Sequence, residues 1–259
     1  MNKPKLRLRW LWMLLPLLAI GVILGQLGSV PKPSLAQALS DRQVTLTPIE
    51  ADLSQGEILP LINSSHPCPD ADGLINIYAQ KNRGFSLASS DIELTEDTFQ
   101  AAKAMFLAAA ADNVDGFILS SGYRSYEAQV EEYAKDPDLA AKPGFSEHGS
   151  GLAFDVTAYG PSDFSKTPQY AWLYANCWDH GFILRYPSDK SEITGIPTES
   201  WHYRYTGLPH SRIMGEMGLC LEEYVQYLAK NGPFRAEYQE QSWIIGVHGD
   251  GNIHCITIE

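Results

Sequence analysis

Residues 144–156 read GFSEHGSGLAFDV, and the strand-like part of that stretch runs on as LAFDVTAY over residues 152–159. Apolar and polar side chains alternate there. Leu152, Phe154 and Val156 fall on one face of an extended chain, with Ala153, Asp155 and Thr157 on the other. His148 precedes the strand, separated from it by Gly149 and Gly151, whose backbone freedom lets the chain fold the imidazole back toward Asp155. His148 and Asp155 are then either ordinary loop and strand residues or two ligands of one metal. Taken alone, a loop histidine is more often a solvated or capping residue.

Working outward, SWHYRYTG (200–207) alternates again, with Trp201, Tyr203 and Tyr205 opposite Ser200, His202 and Arg204. Parity puts Asp155 and His202 on the polar faces of their strands. Two imidazoles and one carboxylate with an open fourth position form a catalytic zinc set. Glu199 lies three residues before His202, and a metal-bound water needs a carboxylate that takes its proton without being a ligand. In a regular strand Glu199 and His202 point to opposite faces. Both serve one metal only if the chain kinks near Glu199–Ser200; otherwise Glu199 is a surface acid in a loop. Arg124 follows a glycine turn at the end of the strand-like run GFILSSGYRS (116–125). Its guanidinium can polarise a carbonyl or hold a carboxylate, or it can form an exposed pair with Glu127 or Glu131.

The remaining elements are mixed. Thr95 can cap a helix whose Phe99, Ala102, Phe106 and Ala109 share a face, and SYEAQVEEYAK (125–135) reads as a second helix. A helix from Pro168 to His180 closed by Gly181, a strand FILRYP (182–187) and a helical stretch to Lys230 follow. The tail reads as a hairpin, WIIGVH and NIHCITI around Gly249–Asp250–Gly251. Strands that do not alternate regularly with helices indicate an α+β fold: a small central antiparallel sheet flanked by helices.

The first 30 residues contain Lys3, Lys5, Arg7 and Arg9 and no acid, followed by the apolar run WLWMLLPLLAIGVILG from Trp10 to Gly25. A positive flank before a near-spanning apolar run predicts an N-terminal membrane anchor helix with the rest exported. An uncleaved anchor is favoured over cleavage after Ala36-Gln37-Ala38. Residues 1–29 are read as signal-anchor or signal peptide, 30–57 as a Pro-containing linker, 58–230 as the folded domain and 231–259 as a C-terminal hairpin extension. Beyond residue 30 the chain carries 15 basic and 31 acidic residues, which gives no footprint for nucleic acid. Cys68, Cys177, Cys220 and Cys255 permit two disulfides in three connectivities, or free thiols, and none has zinc-knuckle spacing.

Taken together, SGYRS with a following Gln, SEHGSGLAFDV and ESWHYRY resemble, in this order, the motifs of the VanY-type zinc D,D-carboxypeptidases. These belong to the wider D-Ala-D-Ala metallopeptidase family that includes VanX-type dipeptidases. The resemblance covers about residues 58–230 and implies Zn2+ held by His148, Asp155 and His202. It makes Glu199 the general base and then acid, and Arg124 the residue that steadies the carbonyl oxygen. Arg124, Gln129 and Ser146 match substrate-contacting positions. The chain departs from many relatives at Ser200, where they carry a proline that would fix the bend. The implied activity is removal of the C-terminal D-Ala from peptidoglycan stem pentapeptides or precursors, in wall remodelling or glycopeptide resistance. Alternatives are an L,D-carboxypeptidase on tetrapeptide stems, a D-Ala-D-Ala dipeptidase, or a non-catalytic zinc-stabilised wall-binding module. The expected location is the outer face of the cell membrane, or outside the cell after signal cleavage.

Overall fold

In a computed structural model, which describes residues 43–137 and 140–258, the alternating run becomes strand β7 (Ala153–Ala158) in the middle of a five-stranded sheet. The order is β4 (Ser86–Leu87), β6 (Phe117–Ser121), β7, β9 (Glu199–Tyr205) and β8 (Phe182–Tyr186). Four strands pair antiparallel as the sequence predicts, whereas the short edge strand β4 runs parallel to β6. The chain between them is long enough to cross over, because it holds β5 (Glu93–Thr95) and helix α1 (Glu96–Ala111). β5 pairs with β3 (Leu74–Asn76) in a separate ribbon.

One face of the sheet is apolar and packs on α1. Thr95 caps that helix by accepting from the Thr98 N–H at 3.3 Å. Phe99, Ala102, Phe106 and Ala109 are all buried, as their spacing predicts, against Phe154, Val156, Phe182, Leu184 and Tyr203. Phe106 is the hub, with ring centroids 5.0 Å from Phe85, 4.7 Å from Phe117 and 5.9 Å from Phe154. Phe106→Ala should therefore cost about 3–5 kcal/mol, seen as a lower denaturant midpoint at unchanged m-value.

The opposite face is polar yet also buried. It carries Arg185, His202 and Arg204, covered by a 3-10 turn at Glu147–Ser150 and by helix α6 (Leu221–Asn231). Parity separates the two faces correctly but does not reveal that the polar one is largely covered. The other helices are α2 (Tyr126–Lys135), α3 (Pro168–Asn176), α4 (Ser191–Thr194) and α5 (His210–Met217). The α3 helix runs into a 3-10 turn at Cys177–His180 that Gly181 closes at φ 83°.

A second five-stranded sheet stands beyond α5 and α6. Its order is β1 (Thr45–Pro48), β10 (Phe234–Tyr238), β11 (Gln241–Val247), β12 (Ile253–Ile258) and β2 (Glu57–Leu59), antiparallel throughout. The β11–β12 hairpin lies where the tail predicts it. It is three-fifths of a sheet when joined by β10, and the two edges come from residues 45–48, inside the stretch read as linker, and 57–59, at its boundary with the domain. Sheet and helices share a second core of Ile213, Leu221, Tyr224, Leu228, Phe234, Trp243, Ile245 and Ile253. All four cysteines are free thiols, Cys177 and Cys220 buried. His210 and His254 are both buried. His210 Nδ1 lies 2.8 Å from the Tyr224 hydroxyl, and His254 lies 2.9 Å from the Leu53 carbonyl and 3.0 Å from Asp250. Among the described residues no helix is long and apolar enough to cross a membrane. The run Trp10–Gly25, with the cleavage point after Ala38, lies outside the described residues.

Candidate active site

Asp155 on β7 and His202 on β9 are direct partners in register, so their side chains leave the sheet side by side. His202 Nδ1 sits 3.0 Å from Asp155 Oδ1. His148 arrives from the Glu147–Ser150 turn, which ends at Gly151 in the left-handed region at φ 69°. That glycine is required twice over, because a Cβ there would also lie 2.5 Å from Leu74 Cδ2. The turn brings His148 Nε2 to 3.4 Å from Asp155 Oδ2. One ligand-type atom from each of the three residues falls within 4.8 Å of the others. Ligands at zinc distances of about 2.1 Å in a tetrahedron are about 3.4 Å apart, so the trio fits zinc with little adjustment.

The two imidazoles present opposite nitrogens. His148 Nδ1 is 2.7 Å from the Gly122 carbonyl, which leaves Nε2 facing Asp155. His202 does the reverse: Nδ1 faces Asp155 and Nε2 lies 3.2 Å from Glu147 Oε2. Glu147 is 2% exposed and its Oε1 accepts from Arg185 Nε at 2.8 Å and Arg204 Nη1 at 2.9 Å. Arg185 also grips Glu222 through Nη1 and Nη2 at 2.9 and 2.6 Å, and Arg204 Nη2 donates to the Pro60 carbonyl at 3.0 Å. Two guanidiniums thus balance two carboxylates in a site closed to bulk solvent. Burial alone would raise the Glu147 pKa; the charges of Arg185 and Arg204 outweigh it and hold the carboxyl well below the carboxylate range.

The kink that Glu199 requires is present. Leu184 pairs with Tyr203 but Tyr186 pairs with Glu199, so residues 200–202 stand opposite Arg185 alone. This bulge turns Trp201 out to 43% exposure and brings Glu199 Oε2 to 3.9 Å from His202 Nδ1, near the trio but beyond hydrogen-bond distance. The bulge makes the bend without a proline at Ser200. Burial pushes the Glu199 carboxyl up to about 7; His202 opposes the rise, and the negative charges of Asp155 and Glu147 add to it.

Arg124 makes neither of the helix pairs open to it by sequence. Its Nη1 donates to Gln129 Oε1 at 3.0 Å and Nη2 to Ser121 Oγ at 3.2 Å. Gln129 is buried and spends its amide on the Ala141 carbonyl at 2.7 Å, so it fixes Arg124 and the 141 loop together. Arg124, Gln129, Ser146, Glu199 and the metal trio all line one cavity of about 350 Å³, walled also by Tyr186 and Trp201. A second cavity of about 160 Å³, lined by Cys68, Asp70, Tyr123 and Tyr126, shares Arg124, Gln129 and Ser146 with it. Every site residue read from sequence is therefore brought to one place. Sequence reasoning missed Glu147, Arg185, Arg204 and Glu222. The readable signal was Arg185 inside FILRY, since a charge in a short, otherwise apolar strand demands a buried partner.

A consequence for metal uptake follows from His202. In the metal-free protein burial lowers its pKa, but the hydrogen bonds it donates to Asp155 and Glu147 outweigh this and raise it to about 10. The imidazolium contributes stability that is full below pH 6.5 and is lost as pH rises through about 10. Zinc needs the neutral ring, so zinc binding near pH 7 should expel one proton from His202 and a further fraction from Glu199, and affinity should rise with pH. Calorimetric titration in buffers of different ionisation enthalpy reads that proton count.

Two imidazoles and a carboxylate around one point, with a second carboxylate beside them and outside the ligand set, are the donor set of a zinc-dependent hydrolase. A family model described as VanY, D-alanyl-D-alanine carboxypeptidase, matches residues 91–208 and takes in all these groups. A D-alanyl-D-alanine carboxypeptidase of Enterococcus faecium is 38% identical over 76% of this chain and 67% of its own length. A vancomycin-resistance D,D-dipeptidase, VanXYg, solved with a D-Ala-D-Ala phosphinate analogue, superposes with TM-score 0.64 at 28% identity, over 84% of this chain and 91% of that one. A vancomycin-resistance D,D-pentapeptidase VanY, solved as a variant with Zn(II), superposes with TM-score 0.52 at 35% identity, over 64% and 97%. The chain belongs to the VanY D-alanyl-D-alanine carboxypeptidase family.

Proposed function

We propose that this chain is a zinc D,D-carboxypeptidase that removes the terminal D-Ala from peptidoglycan stem pentapeptides. The observation that carries the reading is the place of Glu199: beside the three ligand atoms, but not among them. A structural zinc site is normally closed by four protein ligands, and here the second carboxylate stands off where a base is needed. His148, Asp155 and His202 hold the metal. When bound, zinc activates a water at neutral pH and polarises the scissile carbonyl.

The chain's own groups then handle the protons and the charge. Glu199 takes the proton of the attacking water as the C–O bond forms, and delivers it to the departing D-Ala amine as the C–N bond breaks. Arg124, held by Gln129 and Ser121, offers its guanidinium to the carbonyl oxygen as negative charge gathers there. Ser146, on the wall shared by both cavities, contacts the peptide. We place the reaction outside the cytoplasm, with the apolar segment 10–25 as tether. The support is the positive flank and acid-free first 30 residues.

Purified full-length protein, loaded with zinc, is incubated with defined stem peptides and the products are read by mass spectrometry. The expected product is a tetrapeptide plus free D-Ala from the pentapeptide. Cleavage of the tetrapeptide alone would establish L,D specificity instead. Zinc-dependent wall binding with no product from any stem would make the protein a binding module.

A further inference from the structure

The turn that supplies His148 also supplies, one residue earlier, the carboxylate that touches the far side of His202. We propose that Glu147 is a positioning residue for the metal centre: it fixes His202 in the form that carries its proton on Nε2, so that Nδ1 is free to bind the metal. The inference rests on His148, Asp155 and His202 being the zinc ligands.

The contacts around His202 favour this assignment of the proton once a metal is held. Glu147 Oε1 already accepts from Arg185 and Arg204 at 2.8 and 2.9 Å, which keeps the group an anion that only accepts. Its Oε2 lies 3.2 Å from His202 Nε2, so that nitrogen must be the donor. With Nε2 protonated, the lone pair of a neutral ring sits on Nδ1, the atom that faces Asp155 at 3.0 Å. His148 is set the opposite way by the Gly122 carbonyl on its Nδ1. The two arginines that hold the carboxylate are themselves anchored from outside the family-matched span. Arg204 is anchored on the Pro60 carbonyl and Arg185 on Glu222 of α6, one before that span and one after it. Partners of this kind around a metal-binding histidine are worth 10–100-fold in metal affinity.

Replacing Glu147 with Gln tests the idea, because an amide with its oxygen kept by the guanidiniums turns its NH2 toward Nε2, where a donor already stands. Zinc dissociation constants are measured by chelator competition on full-length wild type, Glu147→Gln, Glu147→Asp and Glu222→Gln, with thermal melts alongside. Glu147→Asp keeps the charge for the arginines but draws the carboxylate back from His202, so it answers for Glu147→Gln should that variant fail to fold. Both Glu147 variants should bind zinc about 10–100-fold more weakly. Glu222→Gln breaks the same ionic cluster without touching His202, so it should melt earlier while its zinc affinity stays within about 2-fold of wild type. In 15N-histidine spectra of the zinc-loaded wild type, His202 should carry its proton on Nε2 and His148 on Nδ1. A Glu147→Asp affinity within 2-fold of wild type, an equal loss in Glu222→Gln, or a His202 proton on Nδ1 would overturn the proposal. Failure of wild type itself to bind zinc would instead overturn the ligand assignment beneath it.

Discussion

Glu199→Gln should retain one zinc per chain and release D-Ala from a pentapeptide stem about 10²–10⁴-fold more slowly than wild type, the range that general acid–base catalysis contributes. The substitution keeps the shape of the side chain in the bulge of β9 and removes only its ability to take and return a proton. Zinc content should survive because Glu199 Oε2 is 3.9 Å from the nearest ligand nitrogen, outside the trio. The pH dependence has a defined sign. Burial lifts the Glu199 pKa to about 7 in the metal-free protein, and a cation at the trio lowers it. The base form accumulates above that pKa, so wild-type kcat/KM should climb with pH along an acidic limb centred below 7 and then level. The variant should lack the limb. Stopped initial-rate assays across pH, with metal analysis of the same samples, decide it.

His148→Ala should abolish both zinc retention and D-Ala release. Two ligands on the sheet, Asp155 and His202, remain, which is one short of the three that a catalytic zinc site uses. The change should also remove the thermal protection that zinc gives. A ligand at 1,000 times its Kd stabilises the folded state by about 4 kcal/mol, so wild-type Tm should rise on adding zinc while the variant's does not. The metal-free variant should still fold, because the core that Phe106 organises lies on the other face of the sheet. An unchanged zinc stoichiometry in His148→Ala would remove this residue from the ligand set.

The parts legible in the sequence were those whose cause is local. Thr95 and the 3.6-residue spacing of Phe99, Ala102, Phe106 and Ala109 define α1 by themselves. Alternation identified β7 and β9, and the conflict between parity and a shared metal asked for a kink near Glu199–Ser200, next to which the bulge at residues 200–202 lies. Long-range causes were hidden. The pairing of Thr45 with Glu237 turns a Pro-flanked linker into a sheet edge, and no pattern within residues 30–57 signals a partner so distant. Nothing in SEH marks Glu147 as buried. What buries it is Arg185 and Arg204, which lie 38 and 57 residues away on two other strands. The alternating faces told which side chains share a side, but which side meets water depends on what the rest of the chain lays over it.

The most direct measurement is the position and coordination of zinc in crystals of the zinc-loaded protein, by anomalous diffraction at the zinc edge. The account predicts one zinc at about 2.0–2.2 Å from His148 Nε2, an Asp155 oxygen and His202 Nδ1, with Glu199 outside ligand distance and the fourth position left to solvent. A zinc closed by Glu199 as a fourth protein ligand, or bound away from this trio, would contradict it.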